Sequence, residues 1–360
     1  MTTYHIAVVA GDGIGPEVIS AAIEVLTAAT GLIGGFQLAF EDAPAGAGTF
    51  LLTGEALPPK TLEICRRANA ILLGACGLPD VRYPDGTEII PQVTLRQELD
   101  LFAGIRPAKM LAGIPPTLHG APPIDLVIVR ESTEGIFASL GGGIVLKNEV
   151  ATDTQVITRR GTERVVRAAF ELARRRARSK PKVTCVDKAN ILRSFAFFRK
   201  IFDEVAAEYP DIAADHLYID AAALELVLHP GRFDVIVAEN LLGDILSDLT
   251  AGLIGGMGIA PSADIGTNHA VFQPCHGTAP NLIGTGLANP IATILSAAMM
   301  LDYLADRSGL QAAHTTSVAI IKAVERAIAS GVARTRDVGG SATTKTATDA
   351  VLANLNANPT

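Results

Sequence analysis

The sequence has no tryptophan, few cysteines and no excess of positive charge, and each scarcity excludes a class of protein. Only four cysteines occur in 360 residues, and they form neither a CxxC pair nor a zinc-finger spacing. Buried, reduced thiols in a cytoplasmic protein are therefore the expected arrangement. The net charge of −7 gives no electrostatic reason to expect nucleic acid or an acidic membrane as a partner.

Long hydrophobic runs are also scarce. The best apolar run, 291–301, is shorter than the roughly 20 residues of a membrane span, and it predicts a core helix. A strand-like run at 6–10 begins so early that no signal peptide is expected. The basic run at 174–180 follows an amphipathic stretch and predicts a helix C-terminus, where cations suit the helix dipole.

What the sequence does contain is an alternation of apolar runs with helical patterns, which predicts an α/β fold with a substantial parallel sheet. Hydrophobic residues make up 49% of the chain, enough for two domains or one large α/β unit. A cluster of proline and glycine at 107–123 predicts a loop or a domain crossing. The predicted strands are 6–10, 70–74, 126–130, 182–186 and 234–238, and the clearest predicted helices are 16–29 and 162–176.

The segment GDGIGPE at 11–17 lies between a predicted strand and a predicted helix. A Rossmann dinucleotide loop requires GxGxxG, but here the third glycine comes one residue early and Pro16 takes its place. The segment therefore predicts a tight strand-to-helix turn.

Three arginines, Arg96, Arg106 and Arg130, lie at predicted strand or helix ends. The planar guanidinium group holds a carboxylate through two parallel hydrogen bonds, so together the three could clamp a substrate with two carboxylates. Taken singly, each is equally well explained by a surface salt bridge.

Two aspartates and one lysine add further candidates. Asp244 and Asp248 are four residues apart on a predicted helix, so they share one face and could hold Mg²⁺ or Mn²⁺; solvated carboxylates are the alternative. Lys188 follows an apolar strand, where partial desolvation could make it a base; an ordinary surface lysine is the alternative. The segment HGTAPN at 276–281 could admit a flat ligand such as adenine, or be a plain loop.

In this order, the segments resemble the β-decarboxylating dehydrogenases, which act on 3-isopropylmalate, isocitrate, homoisocitrate or tartrate and D-malate. The resemblance runs from Gly11 to Pro290, and its strongest matches are GDILSD at 243–248 and HGTAP at 276–280. It implies a two-domain, non-Rossmann α/β fold. A discontinuous cofactor-side domain would comprise 1–100 plus 255–360, and 101–254 would form the central domain with a dimer interface.

The resemblance also implies roles for individual residues in a homodimer or larger homo-oligomer with shared active sites. The implied substrate-binding residues are Arg96, Arg106, Arg130, Asn190, Gln92 and Val93. The implied cofactor-binding residues are His276, Gly277, Ala279, Asn281 and Asn289. The implied metal ligands are Asp220, Asp244 and Asp248. Lys188 is the implied catalytic lysine, and both Lys188 and Asp220 would come from the neighbouring subunit.

The activity implied is metal-dependent oxidation of a (2R)-2-hydroxy dicarboxylate. Mg²⁺ or Mn²⁺ would lower the pKa of the substrate hydroxyl, Lys188 would help to remove its proton, and hydride would pass to the nicotinamide. Loss of carbon dioxide from the β-keto acid would follow.

Position 137 departs from the family pattern. The family places a tyrosine there to protonate the enolate, and this sequence has Phe137, which has no proton to give. Three alternatives follow: water or another residue replaces the acid, the enzyme stops at oxidation, or the chain is a catalytically impaired or regulatory paralogue. A plain binding module is less consistent with the metal set and the lysine together.

Cofactor and substrate choice depend on two further departures. Asn281 replaces the acidic residue of NAD-dependent members without supplying the positive charge that NADP favours, so NAD is expected and NADP stays open. By the resemblance, the segment before Arg96 contacts the third substituent of the substrate. Its apolar residues Ile89, Ile90 and Val93 favour an apolar or absent substituent, whereas Gln92 adds a polar group. A 3-isopropylmalate-like substrate is expected, with tartrate or D-malate as the alternative and isocitrate disfavoured.

Overall fold

One long sheet forms the centre of the fold. The computed structural model describes residues 1–118, 120, 123–140 and 142–357. Ten strands form this sheet, and two more form a separate hairpin. The strands are β1 (Thr2–Gly11), β2 (Phe36–Asp42), β3 (Ala70–Ala75), β4 (Ala103–Lys109), β5 (Asp125–Glu131), β6 (Ile144–Leu146), β7 (Val150–Thr152), β8 (Lys182–Asp187), β9 (Ala213–Tyr218), β10 (Val235–Ala238), β11 (Pro261–Ile265) and β12 (Ala270–Pro274).

The strand order places β11 and β12 in the same half of the sheet as the N-terminal strands β1, β2 and β3. It runs β2-β1-β3-β12-β11-β4-β5-β10-β8-β9. β11 is antiparallel to β12 and β4, β4 is antiparallel to β5, and the other neighbours are parallel. The predicted α/β class is confirmed. The domain boundaries at 100 and 254 stay a prediction.

Helices cover both faces of the sheet. α1 packs against α9, α10 and α11 beside β1, β2 and β3. α5 packs against α6 and against the strands β5, β8 and β10. The helices are α1 (Gly15–Ile33), α2 (Ala47–Thr53), α3 (Pro59–Arg67), α4 (Pro91–Glu98), α5 (Arg159–Arg176), α6 (Arg193–Ala206), α7 (Ile219–Leu228), α8 (Asn240–Leu253), α9 (Ile291–Ser308), α10 (Gln311–Ala329) and α11 (Thr344–Ala357).

The predicted elements agree with this structure except at one loop. Each predicted strand overlaps an observed one, and the basic run ends α5 as expected. The loop predicted at 107–123 is wrong at its start, because β4 continues to Lys109. Pro107 lies beyond the part of β4 that pairs with β11, where an unpaired edge tolerates a residue without an N–H. Residues 119, 121 and 122 of that prediction lie outside the described residues.

Helix α1 is long and apolar enough to cross a membrane by length and composition alone. It contacts α9, α10 and α11 as well as β1, β2 and β3, and it buries a row of apolar residues against them. Its apolar surface therefore packs within the fold. The run 291–301, which the sequence analysis singled out instead, is the buried first part of α9.

The glycine-rich segment after β1 forms the tight turn that the sequence predicts. Gly11 and Gly13 have φ angles of 76° and 62°, which favour glycine. A Cβ at Gly11 would lie 2.0 Å from the Ala75 carbonyl oxygen, and one at Gly13 would lie 2.2 Å from that of Thr278. The Ile14 N–H donates to the same Thr278 oxygen at 3.0 Å. The turn thereby fixes the loop that follows β12.

Candidate active site

A cavity of about 170 Å³ lies where the two halves of the large sheet meet. It is bordered by the ends of β3, β5 and β12, by β4 and β11, and by α4 and α8. Its lining residues are Leu73, Gly74, Ala75, Cys76, Gln92, Arg96, Arg106, Arg130, Asp244, Ser247, Asp248, Ser262, Gln273, Pro274, Cys275, His276 and Gly277.

About half of the residues predicted for the site line this cavity. They are Gln92, Arg96, Arg106, Arg130, Asp244, Asp248, His276 and Gly277. The remaining predicted residues do not line it. They are Val93, Phe137, Lys188, Asn190, Asp220, Ala279, Asn281 and Asn289. One chain therefore brings together the three predicted substrate arginines, two of the three predicted metal ligands and the start of the predicted cofactor loop.

Two of the arginines share one buried carboxylate, that of Asp264. Arg106 Nη2 donates to Asp264 Oδ1 at 2.8 Å, and Arg96 Nε donates to Oδ2 at 3.0 Å. The side chains of both arginines are almost buried, and that of Asp264 is 1% exposed. Burial alone would raise the pKa of Asp264, but the charges of Arg106 and Arg96 outweigh it and lower this pKa to about 2.

Arg130, at the end of β5, is held from α8. Asn240 Oδ1 accepts from its Nε at 2.9 Å and from its Nη2 at 2.6 Å, and Asp244 accepts from Nη1. Its guanidinium carbon lies 5.4 Å from the centre of the Phe137 ring. Burial and then repulsion from Arg96 lower the pKa of Arg130 to about 10, so it stays cationic at neutral pH.

Helix α8 presents the two aspartates to the cavity from one face, as predicted. A Cβ at Gly243 would lie 2.8 Å from Arg130 Cβ, so this glycine lets α8 approach β5 closely. Burial, and then the charge of Asp244, raises the pKa of Asp248. A divalent cation at this pair would relieve that repulsion, and carboxylate oxygens are the ligands that Mg²⁺ prefers. The donor set therefore fits such an ion.

Lys188 and Asp220 pair with each other outside the cavity. Lys188 follows β8, as predicted, and its Nζ donates to Asp220 Oδ1 at the start of α7. That hydrogen bond lowers the pKa of Asp220, whose side chain is 68% exposed. Asn190 is exposed beside them. Across the described ranges, no cluster of three or more His, Cys, Asp or Glu residues could hold a metal ion, so one chain does not assemble the predicted metal triad.

The loop after β12 carries a partly buried histidine, His276, as its second residue. His276 Nδ1 lies 2.9 Å from the Gly277 carbonyl oxygen, and the buried Nε2 has no hydrogen-bond partner in the described part of the chain. Burial lowers the pKa of His276, which favours the neutral imidazole. A Cβ at Gly277 would meet no atom within 4 Å. The orphaned nitrogen and the open space beside it fit a polar, flat ligand such as a dinucleotide.

The later residues of that loop differ in exposure and in hydrogen bonding. Ala279 is left-handed, with a φ of 39°, and Asn281 is exposed. Asn289 is buried: its Nδ2 donates to Asp337 Oδ2, and its Oδ1 accepts from the Ile291 N–H, each at 3.0 Å. Its side-chain amide thus caps α9 and anchors the loop.

Sequence reasoning missed Asp264, Asn240 and Gln273. Asp264 had a signal, because an aspartate in the short strand PSADI is unfavourable unless its charge is compensated. Asn240 carried none, since its partner Arg130 lies 110 residues away in sequence. Gln273 carried none either, because it reaches Asp264 only through the antiparallel pairing of β11 with β12.

Comparisons with known proteins show the family of the chain. The family described as isocitrate/isopropylmalate dehydrogenase matches residues 5–351. A 3-isopropylmalate dehydrogenase from Aquifex aeolicus is 41% identical, covering 99% of this chain and 98% of the relative. An isocitrate/homoisocitrate dehydrogenase from Thermus thermophilus is 43% identical, covering 97% and 98%. The solved isocitrate dehydrogenase from Methylococcus capsulatus superposes with a TM-score of 0.86 at 38% identity, covering 98% and 99%.

Fold and comparisons together define a decarboxylating dehydrogenase. The chain belongs to the isocitrate/isopropylmalate dehydrogenase family.

The buried Asp264 predicts a specific acid sensitivity. Its pKa of about 2 lies below the ordinary value of 3.8, so its ion pairs stabilise the fold above pH 4, and this stabilisation is lost as the pH falls towards 2. Asp264→Asn should lower the unfolding free energy by about 2 kcal/mol at pH 7, and the difference from wild type should vanish near pH 2. Urea unfolding across this range measures it.

Asp211→Asn is the matched control, because Asp211 also pairs with an arginine but is exposed. It should show no comparable pH-dependent difference. A constant penalty for Asp264→Asn from pH 7 to pH 2 would contradict the electrostatic explanation.

Proposed function

We propose that this chain oxidises a (2R)-2-hydroxy dicarboxylate with NAD and a divalent metal ion, and then decarboxylates the product. The observation that carries the proposal is three nearly buried guanidinium groups around one small cavity that two aspartates also line. Fixed guanidinium groups bind carboxylates with little loss of side-chain entropy. A two-carboxylate substrate supplies the anions that such a cluster fits.

Asp244 and Asp248 would hold Mg²⁺ or Mn²⁺ together with Asp220 of a second subunit. Such an ion supplies Lewis acidity at the substrate hydroxyl and at the oxygen of the enolate that forms when carbon dioxide leaves. Arg96, Arg106 and Arg130 would hold the carboxylates, and Lys188 would take the hydroxyl proton. In the described chain Lys188 and Asp220 lie together but outside the cavity, which supports their delivery from a neighbour.

A homodimer would supply that neighbour. Exposed apolar side chains lie on the β6–β7 hairpin and on α7 and α8, which contact each other. Contiguous exposed apolar surface is typical of an interface. The exposed residues are Ile144, Val145, Leu146, Val150, Leu224, Val227, Leu228, Leu241 and Ile245.

NAD is the proposed cofactor, with NADP as the alternative. His276 Nε2 and the open face at Gly277 would receive it, and Asn281 would lie on the adenosine side without a charge to select either cofactor. The four cysteines are all free thiols, which is consistent with a cytoplasmic location.

A 3-isopropylmalate-like diacid is the proposed substrate, since several relatives are 3-isopropylmalate dehydrogenases. The structure weakens one of the sequence arguments for it, because Ile89 is fully buried in a separate apolar cluster. Gln92 lines the cavity with a buried, unpartnered Oε1. The second hydroxyl of tartrate would donate to that atom, so tartrate or the related D-malate is the second candidate.

A substrate screen tests the proposal directly. Purified protein with Mn²⁺ or Mg²⁺ and either NAD or NADP should form reduced nicotinamide with at least one of 3-isopropylmalate, D-malate, tartrate and isocitrate. Excess EDTA should abolish the activity, and Mn²⁺ should restore it. No turnover under any condition would favour an impaired or regulatory paralogue.

Mixed dimers test whether active sites are shared. Lys188→Ala and Asp248→Ala chains carrying different tags would be co-expressed and the mixed dimer purified. If Lys188 acts in the partner's cavity, one of the two sites has only wild-type residues, so about half of the wild-type activity should return. Both parent homodimers should be inactive. An inactive mixed dimer would show that each Lys188 serves its own chain.

A substitution at Phe137 tests how the enolate is protonated after carbon dioxide leaves. Phe137→Tyr places a hydroxyl near Arg130 and should raise the yield of carbon dioxide per reduced nicotinamide if that yield is below one in wild type. Carbon dioxide release is measured beside nicotinamide absorbance, with Phe197→Tyr as a control on α6. A wild-type yield of one at the full rate would show that water or another residue already supplies the proton.

A further inference from the structure

We infer that Asp264 sets the charge balance of the substrate cavity, so that the site selects dicarboxylates over tricarboxylates. This inference deepens the proposed function and rests on it. Asp264 does not line the cavity, and it acts through Arg96 and Arg106 as a positioning and specificity-determining residue.

The register of the sheet explains how the Asp264 carboxylate comes close to the arginines of the cavity. Gly104 on β4 pairs with Asp264 on β11 and with Arg130 on β5, so these residues lie in one row across three strands. Directly paired residues project to the same face, and Arg106, two residues along β4, projects there too. A Cβ at Gly104 would lie 3.1 Å from Asp264 Oδ1 and 3.4 Å from Arg106 Nη2. The glycine leaves room for their ion pair.

Asp264 uses both oxygens to fix its neighbours. Besides the two arginine bonds, Gln273 Nε2 donates to Oδ2 at 2.7 Å, and Arg106 Nη1 donates to the Ala263 carbonyl oxygen at 2.8 Å. Arg96 is bonded only through Nε within the described ranges, so its terminal N–H groups stay available to a ligand. Asp264 thus orients the guanidinium groups without blocking that of Arg96.

Charge balance gives this arrangement its selectivity. The three arginines are offset by Asp244, Asp248 and Asp264, while Lys188 and Asp220 offset each other. A divalent cation in the proposed metal site would then leave two positive charges, which a dicarboxylate neutralises. A tricarboxylate would leave one uncompensated negative charge beside nearly buried guanidinium groups, where charge interactions are stronger than in water.

Two variants test the inference. Asp264→Asn removes the charge, and Asp264→Asn combined with Gln273→Glu returns it on the residue that already bonds Asp264. Succinate and tricarballylate are the probes, because they differ by one carboxymethyl group and neither reacts. Calorimetric titration with Mg²⁺ present measures both dissociation constants for each full-length protein, independently of turnover.

In wild type, succinate should bind more tightly than tricarballylate. In Asp264→Asn this preference should fall at least tenfold, corresponding to about 1.4 kcal/mol, and the double variant should restore it. For the reacting diacid, Asp264→Asn should raise KM more than it lowers kcat. The reason is that Arg96 and Arg106, once they lose Asp264, bind the substrate and the transition state more weakly by a similar amount.

No succinate preference in wild type, a change below tenfold, or no recovery in the double variant would overturn the inference. Equal weakening of both probes would assign Asp264 a structural role alone. Failure of the proposed function appears separately, as absence of turnover in the wild-type screen.

Discussion

The burial of three guanidinium groups around one small cavity is the constraint on which the site depends. A buried charge costs several kcal/mol unless it is paired and hydrogen-bonded. Arg96 and Arg106 meet this cost through Asp264, and Arg130 meets it through Asn240 and Asp244. The partners come from β11 and α8, so correct packing of these elements is a condition for any clamp to exist.

Strand order is what makes those partners neighbours. Arg96 and Asp264 are 168 residues apart in sequence, and the insertion of β11 between β12 and β4 brings them into contact. The same order brings His276, after β12, to the cavity that Arg106 on β4 lines. The central antiparallel strands thus bring residues from separate parts of the chain, such as Arg96 and Asp264, to one cavity.

The local sequence pattern therefore predicted the secondary-structure elements better than the side-chain contacts between them. The strand before Lys188, the shared face of Asp244 and Asp248, and the turn at Gly11 are local features, and the structure has them. Asp264 was missed because its meaning depends on two arginines that only the tertiary fold supplies. The prediction that a loop begins at Pro107 was wrong, because proline is tolerated at an unpaired strand edge and the pairing of strands cannot be read from local sequence.

The charges of the site are divided between two places on the chain. The cavity of one chain holds arginines balanced by aspartates, whereas Lys188 and Asp220 neutralise each other on a more exposed surface. Until a ligand and a partner are present, neither group carries an uncompensated charge. Moving Asp220 onto a cation would free the Lys188 ammonium group from its salt bridge. In the proposed dimer, assembly and metal binding would together separate this surface ion pair and deliver its two members to the partner's cavity.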